Sequence, residues 1–180
     1  MDAINEHETG DLWVFGYGSL MWKGWERAHG CVRCADAELP GFRRAFNKGS
    51  VKNWGTKQNP GPTLDLEADS SISCRGVAFE FPDDKSNRIR AYLEKREAKD
   101  FSLCEKEILV AGHRARALVP IYAGKNLLNE TLKDRAKMAR AAEGNCGRCI
   151  DYVKGVLDEL SKLGIDDPAV KEFWQAVNAP

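Results

Sequence analysis

Short apolar runs and strict alternations fill the first two thirds of the chain. Leu12-Trp13-Val14-Phe15 is a run of β-favouring residues stopped by Gly16, which predicts a buried strand feeding a glycine-rich turn. Residues 31–47 read as a second extended region, broken at Pro40-Gly41. Residues 48–62 are rich in Gly, Asn, Lys and Pro and close on Asn59-Pro60-Gly61-Pro62. They predict a long loop, and such loops in compact domains are often functional. From Gly76 to Phe81 the pattern has period two, with Val77, Phe79 and Phe81 on one face and Ala78 and Glu80 on the other, as in a strand. Pro82-Asp83-Asp84 predicts a helix start capped by an Asp, running to about Ala98 with Ile89, Tyr92 and Leu93 on one face. Ile108 to Val110 and Ala117 to Tyr122 predict two further strands.

From about Asn129 the period changes. Ile150, Val153, Leu157 and Leu160 form one helical stripe, and Gly164 is placed to stop that helix. Asp166-Asp167-Pro168 predicts a cap and first-turn proline for a last helix with Val170, Phe173 and Trp174 turned inward. Strands with one inserted helix, then a helical C-terminal third, predict an α+β fold with a small mixed sheet or partial barrel. Residues 1–11 are polar and acidic and predict a flexible N-terminus, with 12–180 as a single domain.

Composition narrows the function classes. Hydrophobic residues make up 43% and charged residues 30%, ordinary values for a globular chain of 180 residues. Lys plus Arg equals Asp plus Glu, 27 each, which argues against nucleic acid and against an anionic membrane surface as partners. The start lacks a basic segment followed by an apolar run, so no secretory signal is expected, and no stretch reaches the roughly 18 apolar residues of a membrane span. A cytoplasmic location is the expectation, with the six cysteines as thiols or metal ligands.

Three features carry candidate chemistry. Gly16-Tyr17-Gly18-Ser19-Leu20 follows a strand directly, where glycines permit close backbone approach and positive φ and successive amides can cradle an anion. Met21 stands where a dinucleotide fingerprint needs its third glycine, and no Gly-Lys-Ser/Thr follows, so neither nucleotide motif is present. A turn that needs glycine for geometry alone is the alternative. Glu97 lies on the shoulder of the Ile89, Tyr92 and Leu93 stripe in the last helical turn. Burial and the negative end of the helix dipole would raise its pKa, as suits a general base. Its alternative is an ion pair with neighbouring Arg96, and Glu80 is the competing base. Third, Cys31-x-x-Cys34 and Cys146-x-x-Cys149 could together form a thiolate zinc site in an interaction module. Their separation exceeds that of a compact zinc ribbon, and two unrelated pairs is the simpler reading. His7, His29 and His113 are isolated and read as surface or satisfied residues.

Taken together, Val14 to Lys23 (VFGYGSLMWK), Arg43-Arg44-Ala45-Phe46, Gly49-Ser50, Arg75 to Phe79, Tyr92 to Glu97, Asp151-Tyr152-Val153 and Leu163 to Asp167 resemble, in order and at compatible spacing, the ChaC-type γ-glutamylcyclotransferases. The resemblance spans residues 12 to about 175. It implies the cyclotransferase α+β barrel, a small-molecule γ-glutamyl substrate, and release of 5-oxoproline from glutathione without metal, nucleotide or other cofactor. It implies Glu97 as catalytic acid/base and a substrate-binding set of Tyr17, Gly18, Ser19, Leu20, Ser50 and Tyr122, with Tyr17 and Tyr122 as pocket walls. Met21-Trp22-Lys23 favours the glutathione branch. One departure stands out: after Tyr122 the family carries a longer stretch ending in another tyrosine, whereas Ala123 to Leu128 is shorter and has none. That leaves γ-glutamyl amino acids or γ-glutamylamines as alternative substrates. Oligomeric state is not indicated.

Overall fold

The computed structural model describes residues 11–21, 24–97 and 100–180. Five strands close a barrel in the order β1-β3-β2-β4-β5. They are β1 (Leu12–Gly16), β2 (Arg33–Ser50), β3 (Gly61–Phe81), β4 (Phe101–Val110) and β5 (His113–Tyr122). All neighbours are antiparallel except β1 and β5, which close the barrel in parallel through Trp13↔Ala117 and Val14↔Leu118. The sheet is thus mixed, and the fold is α+β as expected.

Alternation along each strand sorts its side chains to two cores. Phe15, Leu39, Leu66, Ala78, Ile108 and Val119 fill the barrel. Val14, Phe79, Phe81 and Leu118 point outward to a second core covered by helices. A short α1 (Trp25–Ala28) and α2 (Ser86–Glu97) contribute Trp25, Ile89 and Leu93 to it. The C-terminal helices α3 (Leu132–Ala141), α4 (Cys149–Lys162) and α5 (Pro168–Asn178) contribute Ala139, Val153, Leu160, Val170 and Phe173. A small ribbon of β6 (Glu143–Gly144) and β7 (Gly147–Arg148) joins α3 to α4.

Several boundaries differ from the sequence pattern. Pro40-Gly41 does not break the second extended region. Pro40 pairs with Ser73, Gly41 takes φ +80°, and Phe42 pairs with Ala68, so Gly41 alone stands opposite Asp69 to Ile72: the irregularity bulges β3, while β2 continues as one 18-residue strand. The expected loop 48–62 shrinks to 51–60, because Lys48, Gly49 and Ser50 pair with Thr63, Pro62 and Gly61. The strand expected at Gly76 begins at Gly61. Neither Asp83 nor Asp84 caps α2; both lie inside a 3₁₀ turn over Asp83–Lys85 that leads into it. Helix α2 is followed to Glu97, and Ala98 lies outside the described residues, as do residues 1–10, with His7, and Trp22 and Lys23. At the C-terminal end Gly164 follows α4 with φ +68°, and Asp167 caps α5 by accepting from Val170 N, with Pro168 in the first turn.

Candidate active site

Helix α2 is seated by Ile89 and Leu93, both with no exposed surface. Burial of such a side chain contributes about 1.5–3 kcal/mol. Glu97 is four residues beyond Leu93, on the same side of the helix, so that anchoring also directs its carboxylate. It lines a cavity of about 880 Å³ at the barrel mouth. Glu97 is the most enclosed acid of that lining. Its side chain is 17% exposed, against 26% for Glu159 and 47% for Asp158, while Asp100 and Asp151 are exposed. Burial raises the Glu97 pKa above the ordinary carboxylate value, and the positive charges of Arg96 and Lys48 oppose that rise.

Arg96 does three things at once. Its Nε donates to Glu97 Oε1 at 3.2 Å, Nη1 donates to the Tyr92 hydroxyl at 3.2 Å and Nη2 donates to Ser19 Oγ at 3.1 Å. The ion pair foreseen as an alternative to a catalytic Glu97 is therefore present inside the cavity, and it ties the helix end to the turn after β1.

That turn is held by its carbonyls. Arg44 Nε donates to Tyr17 O at 2.7 Å, Met21 N donates to Gly18 O at 2.9 Å, and Trp25 Nε1 donates to Leu20 O at 2.9 Å. Positive φ is not its reason for glycine: neither Gly16 nor Gly18 adopts it. Gly16 is closely packed, since an added Cβ would lie 3.2 Å from Leu20 Cβ and 3.3 Å from the Phe79 ring. At Gly18 an added Cβ would meet only Leu64 Cδ1, at an ordinary 3.7 Å.

All the predicted site residues meet in one place. Tyr17, Gly18, Ser19, Leu20, Ser50, Glu97 and Tyr122 line the same cavity. Their polar atoms are partly engaged already. The Tyr17 hydroxyl donates to Pro120 O at 2.7 Å, deep in the barrel, where burial raises its pKa well above the phenol value. Ser50 Oγ accepts from Trp54 N at 3.1 Å and shapes the loop after β2. The Tyr122 hydroxyl accepts from Asn126 N at 3.0 Å. The short stretch after Tyr122 is pinned to β2 by Gly49 N donating to Asn126 O and Leu128 N donating to Asn47 O, both at 2.7 Å, and Asn126 joins the lining.

The competing base Glu80 is absent from this lining; it sits in register between Trp13 of β1 and Arg33 of β2. The cysteine pairs do not converge. Cys31 and Cys34 face each other at 3.6 Å, whereas Cys149 donates to Pro62 O at 3.2 Å. No group of three or more metal-ligating side chains occurs among the described residues. Burial pushes the Cys149 thiol up to about 12 and, with Cys31 adding to it, the Cys34 thiol up to about 11, neither favourable to a thiolate ligand. His29 is satisfied, its Nδ1 lying 2.8 Å from Trp25 O, and His113 is exposed.

Sequence reasoning missed Lys48, Asp65 and Trp54. Lys48 lies half-buried in the lining, with its ammonium 4.6 Å from the Phe101 ring centroid and 5.3 Å from that of Tyr122. Asp65, 4% exposed, accepts from Tyr122 N at 3.3 Å, and burial raises its pKa. Trp54 leans on Tyr152 at 5.2 Å and completes an aromatic wall. None of the three belongs to a local pattern; each is placed by partners distant in sequence.

A family model described as ChaC-like protein matches residues 12–180. Gamma-glutamylcyclotransferase 2-3 of Arabidopsis thaliana is 34% identical, the match covering 92% of this chain and 88% of that protein. Glutathione-specific gamma-glutamylcyclotransferase of Escherichia coli (strain K12) is 29% identical, with 94% and 74% covered. A crystal structure of a γ-glutamyl cyclotransferase specific to glutathione from yeast superposes with a TM-score of 0.78 at 20% identity, covering 94% of this chain and 96% of the other, and so shares the fold. No helix among the described residues is long and apolar enough to cross a membrane.

Proposed function

The chain belongs to the ChaC-like protein family, and from that premise we propose that it is a γ-glutamylcyclotransferase that cleaves glutathione to 5-oxoproline and Cys-Gly. One observation carries the assignment of roles: the most enclosed acid of the cavity, Glu97, shares it with the turn Tyr17 to Leu20. We take residues 12–180 as the domain that does this, and the cytoplasm, where cysteines stay reduced, as its setting.

The reaction needs the substrate's own α-amine to attack its γ-carbonyl carbon. A carbon–nitrogen bond forms and closes a five-membered lactam, and the bond from that carbon to the cysteine nitrogen breaks. The proton lost by the attacking amine goes to Glu97 and returns from it to the leaving nitrogen, so one carboxylate serves as base and then as acid. A Glu97 with a raised pKa is better matched to holding that proton between the two steps than a solvated one. Folding the glutamyl chain back on itself is a task of proximity and orientation. Backbone amides of Gly18, Ser19 and Leu20 hold the γ-glutamyl group in this scheme, Tyr17 and Tyr122 wall the site, and Ser50 keeps a hydroxyl proton with which to donate.

The test is incubation of purified protein with reduced glutathione and a chelator, following 5-oxoproline and Cys-Gly by mass spectrometry. Equal release of both products is expected. Glu97→Gln should fold and lose about 10²–10⁴-fold in rate, and a variant retaining more than roughly a tenth of the wild-type rate refutes the role of Glu97. Product from other γ-glutamyl compounds but not from glutathione would keep the chemistry and move the substrate.

A further inference from the structure

Lys48 leaves β2 into the cavity lining, and the scheme above gives it no task. Its ammonium lies against the faces of Phe101 and Tyr122, which attract a cation but supply no counter-charge. The other enclosed cation of the lining, Arg96, pairs with Glu97, and Lys162 pairs with Glu159, whereas Lys48 has no ion-pair partner among the described residues. Glu97 of α2, Asp65 of β3 and Asp100 ahead of β4 face it and act only at longer range. Burial works against its charge and lowers its pKa. A half-buried ammonium without an anion is unfavourable unless something supplies one.

The backbone that carries it is well fixed. Thr63 Oγ1 donates to Lys48 O at 3.1 Å, Lys48 bridges to Leu127, and the next residue is tied to Asn126. The charge thus stands at a defined position in the same cavity as Glu97.

We propose that Lys48 is the anchor for a carboxylate of the substrate, which makes it a specificity-determining residue of this cavity. The inference rests on the cyclisation reading and sharpens its substrate class. A γ-glutamyl peptide offers two carboxylates: one on the α-carbon beside the attacking amine, the other at the C-terminus of the leaving half. If the second is held, γ-glutamyl peptides and amino acids are taken and γ-glutamylamines, which lack it, are refused.

The test compares wild type, Lys48→Gln, Lys48→Met and Lys48→Arg, each checked by melting temperature. Each is assayed with glutathione, with its C-terminal amide, and with an analogue amidated at the α-carboxylate. A charge-assisted hydrogen bond corresponds to roughly a 10- to 100-fold rise in the glutathione KM of Lys48→Gln and Lys48→Met, with kcat changed less than about threefold. Lys48→Arg should recover most of that. The gap between wild type and Lys48→Gln should vanish on the analogue that lacks the anchored carboxylate and persist on the other, which identifies the carboxylate. An unchanged KM, or a gap that persists on both analogues, overturns the anchor while leaving the cyclisation reading intact. If wild type forms no 5-oxoproline, the cyclisation reading falls. The anchor is then judged by calorimetry with glutathione: roughly tenfold weaker binding to Lys48→Gln supports it, and equal or absent binding overturns it.

Discussion

The turn that holds one side of the cavity depends on a charge pair whose partners are 123 residues apart. Arg44 has no exposed side-chain surface; Nη1 meets Asp167 Oδ2 at 2.7 Å and Nε donates to Tyr17 O at 2.7 Å. Asp167 is 12% exposed and uses its other oxygen, Oδ1, to accept from Val170 N at 3.1 Å, which caps α5. Asp167→Asn keeps the shape and the capping oxygen but strands a guanidinium out of reach of water, which costs about 3–5 kcal/mol. Asp167→Ala also loses the cap, for about 1 kcal/mol more. In a chain of this size 1 kcal/mol moves Tm by about 2–4 °C, so Asp167→Asn should lower it by roughly 6–20 °C. The double variant Arg44→Met/Asp167→Asn removes the stranded charge and should recover much of the loss. Urea unfolding at neutral pH measures the free-energy losses, and a thermal scan the shifts in Tm. A loss below about 1 kcal/mol for Asp167→Asn, the range of an exposed pair, would refute the reasoning.

Three further outcomes follow from the site. Since burial raises the Glu97 pKa, the acid limb of kcat against pH should have its midpoint above 4.5, and a limb at or below that value argues against Glu97 as the base. A carboxyl whose folded pKa is raised contributes stability that is present below the unfolded value and lost as pH rises through the folded one. Glu97→Gln should therefore melt at or above wild type at about pH 8, the difference closing below about pH 4, and a clear loss at the higher pH counts against net strain at Glu97. Gly18→Ala meets only Leu64 at an ordinary distance, so Tm should move by less than roughly 2 °C while kcat/KM falls at least about tenfold; equal activity would mean that the substrate does not approach that backbone.

What could be read from sequence follows how local each cause is. β1 is legible because Leu12 to Phe15 is apolar on both faces, as a barrel strand between two cores must be. Glu97 is legible because the helical period carries it from Ile89 and Leu93. The first half of β3 is not, since Gly61, Pro62, Asp65 and Asp69-Ser70-Ser71 are poor strand formers; its ladder with β2 is what extends it. Pro40 likewise misleads, because its place in the ladder, paired with Ser73, exists only once β3 is present to take up the irregularity as its own bulge over Asp69 to Ile72. Lys48 and Arg44 were out of reach for the same reason. A lysine or arginine in a strand normally faces water, and only Phe101 and Tyr122, or Asp167, give these two a different place.

Arg96 shows why a structural and a catalytic reading of Glu97 need not exclude each other. Burial alone raises the proton affinity of Glu97 and so leaves less of it ionised to take a proton from the attacking amine. Arg96 and Lys48 both pull the other way, so the cavity sets opposing influences on one carboxylate. Arg96 is moreover fixed by the Tyr92 hydroxyl and by Ser19, and Ser19 belongs to the turn proposed to hold the substrate. The charge that tunes Glu97 is therefore positioned in part by Ser19 of the element proposed to orient the reacting group. A shift of that turn that weakened the grip on the γ-glutamyl group would also release Arg96 and raise the proton affinity of Glu97, so that binding geometry and base strength change together.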